Sequence, residues 1–353
     1  MKSAFIRLAA GSLFASIALS APTPPAAAPS PPQPGSKPAS PAEKAPEVDE
    51  LPAGSFDLRP KFRMGQDRRV RLSLDSKESS PDLTADPAAK KPATDEMKTQ
   101  QEFVLVFKPL KVQEDGANQV AIVFEEIHAH VEGPGIDDTF DSTKPAKPKP
   151  KTTKTPSDPL GGLGEMPTLE ETLRPLVGEQ LSITFDRGGN VTEVRGGEKF
   201  VRALNPMAPQ ELTQMGGDQK LRELFQSIVS TPGKPWAKPG ESWTSATQLD
   251  LFPIGGSSLR TDYRLTSVQG SRGKIAFEGR LVPTKDASPG SGGLKLAKAD
   301  YNGTTDWDQE DGFPRAMQST SALDAELKVG DQSISLKQTQ KMKLTRLPDA
   351  KGK

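Results

Sequence analysis

The chain has 353 residues with 34 Pro, 31 Gly and a mean hydropathy of -0.56, too polar for one compact domain of that size unless the polarity is gathered into segments outside the core. Lys plus Arg equals Asp plus Glu, 46 against 46, with no large block of either sign, which argues against nucleic acid as a partner. Cysteine is absent, which excludes disulfides, thiol nucleophiles, thiolate metal sites and a lipidated cysteine.

The chain opens like a signal peptide over residues 1–20. Lys2 and Arg7 precede an apolar run from Leu8 to Leu19, and Ala18 and Ser20 stand at signal-peptidase spacing before Ala21. About a dozen apolar residues is short of the ~20 that cross a bilayer, so the mature form is expected without a transmembrane anchor, in the periplasm or outside the cell. Ala21 to Gly54 is a Pro/Ala-rich stretch expected as a disordered tether. Similar compositions predict disordered loops over Ser76 to Thr99 and Ser142 to Pro167, and a smaller loop over Thr284 to Gly293. A single β-rich domain is expected over 55–348, with 349–353 as a tail.

Between these segments apolar residues alternate, the signature of strands with one buried and one wet face. Val70, Leu72 and Leu74 do so, as do Leu181, Ile183 and Phe185; Ile275, Phe277 and Leu281; and Ile334, Leu336, Met342 and Leu344. Phe103 to Phe107 is apolar on both faces and predicts a strand in the middle of the sheet. Glycine-bearing breaks at Glu114 to Gly116, Arg187 to Gly189, Gly270 to Gly273 and Glu310 to Gly312 predict hairpins. Pro209 to Val229 carries Leu221, Leu224, Phe225 and Ile228 on one helical stripe, and a shorter helix is predicted over Glu198 to Leu204. The fold expected is mainly β: a curved antiparallel sheet or open half-barrel on one or two short helices. An echo of the Gly65 to Phe124 pattern after Gly240 raises two related halves as one reading.

Phe185, Asp186 and Gly189, the Leu221 to Val229 stretch, and Pro239, Gly240, Ser242 and Trp243 carry a resemblance to exported bacterial β-rich proteins of unknown function. More remotely the order of features resembles the periplasmic lipoprotein-carrier (LolA-like) half-barrels, in which an open sheet wraps a helix. That resemblance implies a lipid-binding concave face.

Glu126, His128, His130 and Glu132 share one face of a strand, with the two histidines about 7 Å apart. They are the only histidines, and with Glu126 they form the candidate metal site; a solvated strand face is the competing reading. Asp306, Asp308, Glu310 and Asp311 before Gly312 resemble a calcium loop, but without EF-hand spacing they read as a solvated hairpin tip. Gly270 to Lys274 lacks Walker spacing, and no G-x-S-x-G occurs. Trp236, Trp243, Trp307, Tyr263 and Tyr301 read as packing residues before they read as a ligand groove. No residue commits to catalysis or to a cofactor. The expected function is a non-enzymatic envelope module that binds an apolar ligand or an envelope protein. The alternatives are a metal-dependent hydrolase using His128 and His130, and a structural or assembly component of the envelope.

Overall fold

The structure, a computed structural model, describes residues 51–81, 94–113, 117–146, 168–197, 217–229, 234–251, 255–283, 294–329 and 332–348. The signal-like residues 1–20, the tether as far as residue 50, the predicted Glu198 to Leu204 helix and the Glu114 to Gly116 turn lie outside them, as does the segment from Thr284 to Gly293. Most of the predicted Ser142 to Pro167 loop lies outside as well.

Chain order begins with β1 (Phe56–Asp57), β2 (Arg68–Pro81), β3 (Thr94–Val112), β4 (Asn118–Gly133) and β5 (Ile136–Asp141). Then come α1 (Leu169–Leu173), a 3-10 turn (Arg174–Leu176), β6 (Gln180–Phe185), β7 (Val191–Arg195) and α2 (Gly217–Val229). The rest is strand: β8 (Trp236–Ala237), β9 (Ser242–Leu251), β10 (Gly255–Gln269), β11 (Arg272–Pro283), β12 (Leu294–Asp308), β13 (Phe313–Val329) and β14 (Gln332–Arg346). Twelve strands form one antiparallel sheet in the order β7-β6-β4-β3-β2-β14-β13-β12-β11-β10-β9, with β5 paired to β4 off this path. β1 and β8 pair separately.

This order is an up-and-down meander with one change. The first long strand pairs with the last, Leu72 opposite Leu344 and Leu74 opposite Met342, as in a closed barrel. The opening falls instead in the middle of the chain, between β7 and β9, and α2 belongs to the segment that links them.

Alternation sorts the faces as the sequence predicts. Val70, Leu72, Phe103, Leu105, Ile122, Met342 and Leu344 join one core cluster with Leu221, Leu224, Phe225 and Ile228 of α2. The helix stripe therefore packs on the sheet, within the predicted Pro209 to Val229 segment. The outer face is ionic: Arg71 meets Glu102 at 3.2 Å, Lys77 meets Glu96 at 2.7 Å, and Arg69 pairs with both Glu125 and Glu126. A lipid-facing barrel wall would carry an apolar band there.

Two readings need correction. The segment Ser76 to Thr99 is not a loop throughout: β2 and β3 stay paired from Ser76 opposite Thr99 out to Pro81 opposite Thr94. Ladder hydrogen bonds to two neighbours sustain these polar residues as strand where composition alone does not. The sequence reading also missed α1, which starts where the Ser142 to Pro167 loop ends. Its signal was present, because Thr168 and Glu171 form a capping box: the Glu171 amide donates to Thr168 Oγ1 at 3.2 Å and the Thr168 amide to Glu171 Oε2 at 3.3 Å.

α2 is tied to the sheet edge by one polar side chain. Gln226 is fully buried; its Oε1 accepts from the Val191 amide at 2.5 Å and its Nε2 donates to the Gly189 carbonyl at 3.1 Å. Replacing Gln226 by leucine strands two buried backbone groups, so Gln226→Leu is expected to cost about 2 kcal/mol. Urea unfolding of the variant measures it; a loss under ~0.5 kcal/mol would show that the clamp is not formed.

Candidate functional site

The candidate metal ligands lie on the outer face of β4, and the structure directs them to separate partners. His128 Nδ1 is 3.2 Å from Asp141 Oδ1, His130 Nε2 is 3.1 Å from Asp137 Oδ1, and Glu126 pairs with Arg69 at 3.1 Å. Asp141 also accepts from the Thr143 hydroxyl at 2.7 Å and amide at 3.0 Å, and Thr143, with smaller help from Lys144 and His128, holds its carboxyl down at about 2. Among the described residues no three His, Asp or Glu side chains gather closely enough to hold an ion. The register sets His128 opposite Asp141 and His130 opposite Thr139, and the two rings take different aspartates of β5 as partners.

The acidic β12–β13 tip is a docking point. Asp308 is buried, accepts from the Glu310 amide at 3.1 Å and pairs with Arg315 at 3.3 Å; Asp311 pairs with Arg346. These two carboxylates are neutralised by arginines, which corrects the picture of a solvated tip. Burial tends to raise the Asp311 carboxyl, but Arg346 and two further arginines outweigh it and hold it below the usual range.

Across this tip runs the segment Phe56 to Arg63. Trp307 Nε1 donates to the Asp57 carbonyl at 3.1 Å, Lys61 Nζ to the Gln309 carbonyl at 2.6 Å, and the Lys61 amide to the Gly312 carbonyl at 3.1 Å. Arg68, 3% exposed, lies between the rings of Phe62 and Phe313, 5.0 Å from each centroid, and donates to the carbonyls of Lys61 and Asp311. Beside it opens a cleft of about 540 Å³ lined by the Gly65 turn, Arg69, Lys108, Glu125, Asp311 and Arg346. Its acids and arginines pair mainly with one another, Arg69 with Glu125 and Arg346 with Asp311.

The inner face of β9 to β12, where Phe56 and Leu58 of the Phe56 to Arg63 strap join the same core cluster, is the better candidate site. On β9 to β12 it carries an aromatic ladder: Trp243 stacks on Tyr263 at 5.5 Å, Tyr263 lies 6.0 Å from Phe277, and Phe277 stacks on Tyr301 at 5.0 Å. Phe277 lies over Gly303, where a Cβ would come within 2.4 Å of the ring. The Tyr301 hydroxyl, pushed up to about 12 by burial, stays protonated and pairs with Ser319.

Next to the ladder, across the β14–β2 seam, the same face turns polar. Gln340 stands opposite Ser76 on one side and Ser321 on the other; Gln338 stands between Glu78 and Leu323. Gln101, Gln338, Gln340 and Ser319 are all buried. Gln340, 6% exposed, has an Oε1 with no hydrogen-bond partner, against the rule that buried amides are satisfied. Glu78 is half-buried and pairs with no cation among the described residues, and desolvation pushes its carboxyl up to about 7. Of the predicted aromatics, Trp243, Tyr263 and Tyr301 come together here. Trp307, also on β12, joins the same core cluster and donates to the strap's Asp57 carbonyl, and Trp236 sits under Lys234 on β8.

The sequence reading missed the polar stripe because Gln338 and Gln340 sit on one strand and Ser76 and Glu78 on another, in a stretch read as loop. Their only local signal is polar residues at inward parity beyond Leu74 and Met342.

Residues 115–314 match a family of unknown function, DUF6263, a span running from the β3–β4 turn to the start of β13. No curated protein matches the chain. Similar solved structures include Pseudomonas aeruginosa OccK5 (OpdH), 8% identical over 81% of this chain and 99% of that one, with a TM-score of 0.23. The translocator domain of autotransporter NalP from Neisseria meningitidis is 9% identical over 80% of this chain and 89% of its own, with a TM-score of 0.19. At these TM-scores the superpositions do not define a common fold. Among the described residues no helix is long and apolar enough to cross a membrane. With the family match spanning more than half of its 353 residues, the chain belongs to the family of unknown function DUF6263.

Proposed function

We propose that this protein is an exported, non-enzymatic binding module of the cell envelope whose inner sheet face holds an amphiphile. The apolar part of the ligand lies against the Trp243, Tyr263, Phe277 and Tyr301 ladder, and its hydrogen-bonding head meets Gln338, Gln340 and Glu78. The observation that carries this reading is the buried, unpartnered Gln340 Oε1 at the border of the aromatic wall. A ligand donor there would satisfy an acceptor whose desolvation otherwise goes uncompensated, and sites of this mixed character are the usual small-molecule sites. The export half of the proposal is supported by the Lys2, Arg7 and Leu8 to Leu19 pattern.

The test is native mass spectrometry and solvent extraction of protein purified without detergent. The expected result is one amphiphile per chain, with affinity for the re-added compound reduced roughly tenfold in Gln340→Leu, the equivalent of one lost hydrogen bond. A protein that yields no extractable compound and leaves an anilinonaphthalene probe dark would overturn the reading.

A further inference from the structure

The two ends of the open sheet are protected unequally. At one end, β7 is short, carries Glu193 and Arg195, and has Gln226 of α2 clamped to its first amide. At the other, β9 runs for ten residues, SWTSATQLDL, without proline, lysine or arginine, the usual devices that keep an edge strand from pairing.

The phase of the β9–β10 ladder shows which groups point outward. The Gly240 amide donates to the Leu265 carbonyl and the Leu265 amide to the Glu241 carbonyl, so Leu265 directs both backbone groups toward this edge. In an antiparallel ladder this alternates, so Tyr263, Thr261 and Leu259 do the same, opposite Trp243, Ser245 and Thr247. Thr244, Ala246, Gln248 and Asp250 therefore turn their amides and carbonyls away from β10, and among the described residues no strand pairs with them.

We propose that this edge pairs with the same edge of a second copy of the chain, the two β9 strands running antiparallel about a two-fold axis at Thr247. In that register Ala246 meets Gln248 of the partner copy and Thr244 meets Asp250, and these are the hydrogen-bonding pairs because they carry the outward groups. The strand's single charge, Asp250, then lies opposite a threonine, and the two copies of Asp250 fall at opposite ends of the ladder. A two-fold ladder of this kind is self-complementary in length, backbone phase and charge. The chain's own spare segments fit less well: Ala21 to Gly54 and Ser142 to Pro167 carry proline at intervals that cannot donate to a ladder.

Thr247 at the axis faces itself as a non-hydrogen-bonded pair, with Cα atoms about 4.5 Å apart, within disulfide range. Because the chain has no cysteine, Thr247→Cys introduces its one thiol. Mild oxidation is expected to convert this variant largely to a covalent dimer, while Lys341→Cys, exposed on β14 in the middle of the sheet, stays monomeric. Light scattering is expected to give twice the chain mass for the wild type. Ala246→Pro, which removes an outward amide and leaves the β10 ladder whole, is expected to give a single chain mass with an unchanged circular dichroism spectrum. A wild-type mass of one chain across a dilution series, or equal cross-linking of the two cysteine variants, overturns the proposal. Transfer of the edge to a different protein would show itself as the first of these outcomes.

Discussion

Replacing Gly312 by alanine is expected to destabilise the protein by about 3 kcal/mol, combining roughly 1–2 for a left-handed alanine with roughly 1–3 for overpacking. Gly312 has φ +54, and a Cβ on it would lie 2.4 Å from the Lys61 amide nitrogen and 2.6 Å from the Arg59 carbonyl oxygen. Both contacts are backbone, so no flexible side chain can move aside, and the Phe56 to Arg63 strap must lift off the hairpin tip. Gly65 supplies the control: its φ is +77, yet nothing lies within 4 Å of a Cβ there, so Gly65→Ala incurs only the conformational part. Urea unfolding of the two variants separates the terms. Equal losses would mean that the strap does not sit on the tip. The strap also adds an acid limit: burial tends to raise the Asp57 carboxyl, but Arg59 and Lys61 outweigh it, and it sits with Asp311 below the usual range. Both groups stabilise the fold above the ordinary carboxylate pKa and lose that contribution as pH falls through their depressed values, below about 4.

Glu78→Gln is expected to stabilise the protein at pH 8 by roughly 2–3 kcal/mol and to leave it unchanged at pH 4. The Glu78 carboxyl moves from 4.5 when unfolded to about 7 in the fold because desolvation disfavours its charge. Between those two pH values the folded state binds more protons than the unfolded one, so stability falls as pH rises through the window and stays lowered above it. A shift of that size corresponds to about 3 kcal/mol at most, reduced here because Glu78 keeps part of its surface in water. Thermal or urea unfolding at pH 4, 6 and 8 reads the difference between wild type and variant. A constant offset at all three would show that Glu78 does not titrate in this window. An amphiphile head that donates to the carboxylate would lower its pKa and narrow the difference, which links this measurement to the ligand experiment.

Fold class was legible from the alternation of Val70, Leu72 and Leu74 and of its counterparts, because a strand's period of two assigns each residue a face before any partner is known. The α2 stripe was legible for the same reason at helical period, and the Thr168 to Glu171 capping box was readable though overlooked. The strand pairing lay beyond any local window. Nothing near Leu72 or Leu344 marks them as neighbours, and their pairing is chosen by the register of a ladder that closes across nearly the whole chain. That one non-local choice decides the rest. It sets Glu78 beside Gln338 and Gln340 beside Ser76, turns a run of polar residues into a buried stripe, and moves the opening of the sheet to the β7 and β9 edges. Local alternation assigned the inward-facing side chains and the folded sheet chose which of them meet, because facing is a property of one strand and meeting is a property of two.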